Sequence, residues 1–389
     1  MYKRQVKIDD SENCAAYLKH RASLLQILNN ADAYVTIDGD PGSYPGAKAP
    51  EFVRVLKADR ETINAHGERP QSQKIVPWIW AGWGAKGIWT EPLEPLVAPV
   101  LDALKNGMSE PWEMLPGRSI RDHWANGRVN IDLTEKAGLM SRSTLLFYEI
   151  IEFEPTPPAA VLQFDDIRRV FKQELQFAGA ARGCFGNAQQ PVIVLPNLFL
   201  FAKIASDPAY LHKSDEDVLK DFADLLGGPA DVLVPAWSCL KLGLDKMPAD
   251  LPAKLRETAL KSEAAQHLPG GPKRYVEILA EQVDAWQKVL RAVAVAAETD
   301  SAAVSPIVRG TEALVAWWKV HGYVGQSQEK LGFSWEFTHP LLFNPLKQWC
   351  QKNVKDWKTV ADQCAKELTE KKIFPEREAK LRMNELLRR

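Results

Sequence analysis

Before residue 205, five short β-branched or apolar runs alternate with stretches of helical periodicity, and this alternation constrains the fold more than any other feature. The runs are 33 to 38, Ile75 to Trp80, a short one near Glu113 to Leu115, Thr144 to Ile151 and Arg182 to Phe185. The spacing predicts helices over 11 to 30, Ala49 to Ala65, 92 to 106, from Asp132 onward, and Phe164 to Ala178. In the first of these Leu18, Leu24, Leu25 and Leu28 form an apolar face, with Ser11 as its cap. Strands joined through helices of this length pair in parallel by right-handed crossovers, so the expected class is α/β.

Five such units fit the second half of an eight-stranded (β/α)8 TIM-type barrel, with a complete open sheet of five strands as the alternative. The N-terminus favours the half barrel. Met1-Tyr-Lys-Arg-Gln5 resembles the translated read-through of a transposase end used in shotgun DNA libraries. Residues 1 to 5 are therefore set apart from the fold, and further strands are expected upstream. The partial barrel is assigned to residues 6 to 210. From Ser214 on, strand signals stop and helices are expected over Asp215 to Leu226, Pro272 to Ala297, Thr311 to Val320 and Leu346 to Glu370. Residues 211 to 389 thus read as an all-α C-terminal domain, ending in a charged surface helix.

Composition removes several function classes. With 49 Lys and Arg against 50 Asp and Glu, the net charge of −1 offers no basic footprint for nucleic acid or anionic lipid. No apolar run approaches the roughly 20 residues that cross a bilayer. The five cysteines are scattered and never form CxxC, and the histidines lack HxxxH or HExxH spacing, so neither a disulfide framework, a metal site nor a cofactor is expected. Gly82-Trp-Gly-Ala-Lys-Gly87 matches GxGxxG, but bulky Trp83 sits where backbone must approach a pyrophosphate, and the helix opens only after Pro92. Asp38-Gly-Asp40 lacks the later ligands of a calcium loop, having Gly42 and Ala49 at the required positions.

The chemistry-bearing residues cluster just past the strand ends, where parallel α/β folds build ligand sites. Asp38 and Asp40 share one strand face and open a Gly- and Pro-rich loop. Two close carboxylates cannot both ionise cheaply, so their pKa values separate into an acid and a base. Turn formation by the same two aspartates is the structural alternative. Glu149 and Glu152 end the run before the Pro-rich loop and suit general acid-base work or ligand hydroxyls, with a solvated strand end paired to Arg182 or Arg168 as the alternative. Trp83 and Trp89 follow the second strand, and flat aromatic rings stack on the C–H faces of sugars. Tyr44 and Tyr148 lie beside the acids, and Asn187, Gln189 and Asn197 offer amides that donate and accept together, or a helix cap.

On Ile37-Asp-Gly-Asp-Pro-Gly42, Trp78-Ile-Trp-Ala-Gly-Trp83 and Gly186-Asn-Ala-Gln189, the chain resembles bacterial (β/α)8-barrel glycoside hydrolases of the hexosaminidase and α-glucuronidase-like group. The resemblance covers about half the chain. It implies hydrolysis of a carbohydrate or glycoconjugate, with Asp38, Asp40, Glu149 and Glu152 as catalytic carboxylates. It further implies substrate contacts from Tyr44, Trp83, Trp89, Tyr148, Asn187 and Gln189. In one scheme Asp38 and Asp40 are an acidic pair after the fourth strand; in the other an acid there faces a glutamate nucleophile after the seventh, Glu149. A non-catalytic carbohydrate-binding or scaffold protein on the same barrel is the alternative from a different class.

Overall fold

The computed structural model describes residues 11–36, 49–79, 94–119, 128–148, 162–177, 181–186, 194–242, 248–261, 271–298, 304–321, 333, 335 and 340–388. The chain divides into two compact units, one of residues 1–150 and 165–187, the other of 151–164 and 188–389. The division falls between 187 and 188, so the helix after the fifth strand belongs to the second unit. The sequence reading places that helix in the first.

In the first unit, strands β1 (Ala33–Thr36), β2 (Lys74–Ile79), β3 (Leu115–Ser119), β4 (Leu145–Tyr148) and β5 (Cys184–Gly186) form one sheet. The order is β1-β2-β3-β4-β5 and every pairing is parallel. Helices α1 (Ser11–Ile27), α2 (Ala49–His66), α3 (Glu94–Gly107), α4 (Val129–Lys136) and α5 (Phe164–Glu174) alternate with the strands. Right-handed crossovers between strands that never reverse their order keep the helices on one side. Accordingly α1 packs on α2, α2 on α3 and α3 on α4. The α/β class and the parallel sheet of the half-barrel type therefore stand.

The register fixes the two faces of the sheet. Val35 lies beside Val76, Trp78 beside Leu115, and Gly117 beside Leu146, which lies beside Phe185. Neighbours in a parallel ladder share a face, and successive residues alternate. Phe147, on the opposite face, stacks on Phe171 of α5 with centroids 5.0 Å apart. One face thus meets the helices and the other carries Val35, Val76, Trp78, Leu115, Leu146 and Phe185.

Local propensity explains where expectation and structure part. β3 reads Leu-Pro-Gly-Arg-Ser and begins at Leu115, where the sequence places its end. Strand preferences span only about 1 kcal/mol. Burying Met114 and Leu115 between two neighbouring strands contributes about 1.5–3 kcal/mol each, so burial wins. Pro77, which has no N–H, sits where the β2–β3 ladder is interrupted between the Ile75–Trp112 bridge and the Trp78–Leu115 pair. In α1 the expected apolar face is turned. Leu18 and Leu25 meet the core, whereas Leu24 and Leu28 are exposed. The helix is held instead by Arg21, whose Nε donates to Asp59 Oδ1 on α2 at 2.9 Å and whose Nη1 donates to the Tyr17 hydroxyl at 2.8 Å.

In the second unit every element among the described residues is helical. The helices are α6 (Leu195–Ser206), α7 (Asp215–Leu226), α8 (Ala230–Leu242), α9 (Leu251–Lys261), α10 (Gly271–Glu298), α11 (Val304–His321), α12 (Pro340–Asn353), α13 (Trp357–Glu370) and α14 (Glu376–Leu387). The run expected from Leu346 to Glu370 is two helices, because Asp356 accepts from the Thr359 N–H and starts a new one. The charged tail helix buries Ala379, Met383, Leu386 and Leu387 rather than lying free on the surface. No helix among the described residues is long and apolar enough to cross a membrane.

Asp221 on α7 accepts from the Tyr210 hydroxyl at 2.7 Å and from the Lys213 ammonium, and Lys213 foremost holds its carboxyl below the usual range. A carboxyl depressed in the folded state contributes stability above its unfolded pKa of about 3.9, and loses it as pH falls through the folded value. The stability difference between wild type and Asp221→Asn is therefore expected to be full at neutral pH and to shrink below pH ~4. Urea midpoints measured across that range check it; a difference constant with pH refutes the assignment.

Candidate functional site

Because all five strands run in parallel, their carboxyl ends form one edge of the sheet. Asp38 and Asp40 follow β1 directly, Trp83 and Trp89 follow β2, Glu149 and Glu152 follow β4, and Asn187 and Gln189 follow β5. All eight, together with Tyr44, lie outside the described residues. Tyr148 is the last residue of β4, its backbone paired with Ser119. The topology thus attaches four of the five strand-to-helix connections at one edge to residues that the sequence singles out. The GxGxxG segment also lies outside the described residues.

Below that edge, Trp78, Leu115 and Leu146 are buried on the face away from the helices. The fourth helix is fixed against the sheet by Asn130, whose Nδ2 donates to the Gly117 carbonyl at 3.4 Å. One turn on, the Thr134 hydroxyl donates to the Asn130 carbonyl at 2.6 Å. Arg128, at the start of α4, lies with its Nε 3.5 Å from buried Glu174 of α5 and its guanidinium 5.3 Å from the Phe177 ring centre. These contacts join α4 to α5, the helices at which the connections after β3 and β4 end.

The amino edge carries a different chemistry. Glu113 accepts from Lys74 at 2.7 Å and from Arg182, so one half-buried carboxylate ties β2 and the approach to β3 to the start of β5. Arg142 lies 4.6 Å over the Trp112 ring and pairs with Glu110, whose carboxyl it holds below the usual range. Ion pairs at this end serve stability, since ligand sites of parallel sheets lie at the other. Sequence reading misses this network because its members are spread from Lys74 to Arg182 and meet only when the sheet closes their spacing.

One expected pairing is corrected. Arg182, offered as a partner for the acids after β4, sits before β5 at the amino edge and pairs with Glu113. Arg168 lies 3.9 Å from Asp165 of its own helix, and the acids offered as its other partners lie outside the described residues. Asn197, considered for ligand hydroxyls, is fully buried and its Oδ1 accepts from the Gln163 backbone N–H at 3.0 Å. Its amide holds backbone in place. Among the described residues, no group of three or more His, Cys, Asp and Glu could hold a metal ion.

No protein-family model, curated protein or solved structure matches the chain at a significant level.

Proposed function

We propose that the chain is the second half of a (β/α)8 barrel followed by an all-α C-terminal domain, and that the barrel hydrolyses glycosidic bonds. The observation that carries this reading is the sequential, all-parallel strand order with the helices on one side. An open doubly wound sheet reverses its strand order at a switch point, whereas a barrel adds each strand beside the last. The reading assigns the carboxylates after β1 and β4, the tryptophans after β2 and the amides after β5 to the carboxyl edge of that parallel sheet. Carboxylates supply the acid and the nucleophile or stabiliser, tryptophans the sugar-stacking faces, and amides the hydroxyl contacts. The substrate class is a carbohydrate or glycoconjugate.

Strand spacing separates the two catalytic schemes. β1 and β4 are three strands apart, about 14 Å along a sheet at ~4.8 Å per strand. A retaining pair needs carboxyl groups about 5–5.5 Å apart, so Asp40 with Glu149 requires the curvature of a closed barrel. Asp38 with Asp40 requires only β1 and its loop. Turnover of an aryl glycoside is the test, with Asp38→Asn, Asp40→Asn and Glu149→Gln. A residue acting as general acid or base is expected to cost about 10²–10⁴-fold in kcat. Loss at both aspartates with Glu149→Gln active selects the single-strand pair; loss at Asp40 and Glu149 selects the cross-barrel pair. Hydrolysis unchanged in all three variants refutes the reading.

A further inference from the structure

We draw no further inference here: the strongest candidate, the cleft of about 440 Å³ between the α7–α8 turn and the face of α9 that carries Lys254, Glu257 and Lys261, carries nothing, because Lys254 is already paired with Asp250 and Lys261 with Glu257, so its charges select no ligand.

Discussion

Replacing Arg60 by Met is expected to cost the first unit about 3–5 kcal/mol, the scale of leaving several buried carbonyls without a donor at about 1–3 kcal/mol each. Arg60 on α2 is buried, and its guanidinium donates to the carbonyls of Gln73, Pro70 and Pro111 and to the Asn64 side chain. Burial pulls its pKa down from the ordinary guanidinium value, which lies far enough above neutrality to leave it charged. Met fills similar space without a donor, so at least three carbonyls lose their partner at about 1–3 kcal/mol each, partly recovered by relaxation towards water. The fork of donors matters as much as the charge, because one guanidinium holds the turn before β2 and the segment before β3 together. Arg60→Lys is therefore expected to recover less than half of the loss, a point charge being unable to reach the same carbonyls. Urea unfolding followed by hydrogen exchange in β2 reads both variants. A change in Arg60→Met below about 0.5 kcal/mol, the range of ordinary surface substitutions, refutes this account.

Trp237→Ala is expected to cost the second unit about 3–5 kcal/mol, as for other buried Trp truncations. Trp237 on α8 is fully buried, with the Phe222 ring centre at 5.0 Å and that of Tyr275 on α10 at 6.1 Å. Its indole N–H donates to the Tyr275 hydroxyl at 2.6 Å. Burial drives the Tyr275 hydroxyl far above its ordinary pKa, so it stays neutral and available as the acceptor. The packing and the hydrogen bond can be separated. Tyr275→Phe keeps the ring and strands the indole N–H, which is expected to cost about 1–3 kcal/mol. Thermal and urea unfolding of the two variants decide it. Equal losses in Trp237→Ala and Tyr275→Phe would mean that the hydrogen bond, and not the ring cluster, holds α7, α8 and α10 together.

Which elements were legible in the sequence follows from what signals each one sends. α2 announces itself through Phe52, Val53, Leu56 and Ile63, all buried in the structure, and α7 through Ser214 at its start and Gly227 at its end, where φ is 65°. β3 and α8 do not. β3 contains Pro116 and Gly117, and α8 is apolar on nearly every side with Pro235 inside, so neither shows a period. Both are elements that burial imposes on sequence of weak local preference. The candidate site is a partial case. The identity of its residues, and their position just past strand ends, were readable from Asp38, Asp40, Glu149 and the loop tryptophans. Their attachment to one edge follows from the parallel pairing that helix-linked strands imply, whereas which connections are neighbours along that edge was not readable, because it depends on strand order.

By itself the sequence determined the βα alternation, the helical second part and the list of chemistry-bearing residues, since all of these depend on local periodicity and side-chain type. Tertiary structure alone decided the order β1 to β5, the single helical side and the Lys74–Glu113–Arg182 network at the amino edge. Those features come from pairings between residues far apart in the chain. Their energy is main-chain hydrogen bonding and burial summed over neighbours, and no window of sequence carries it.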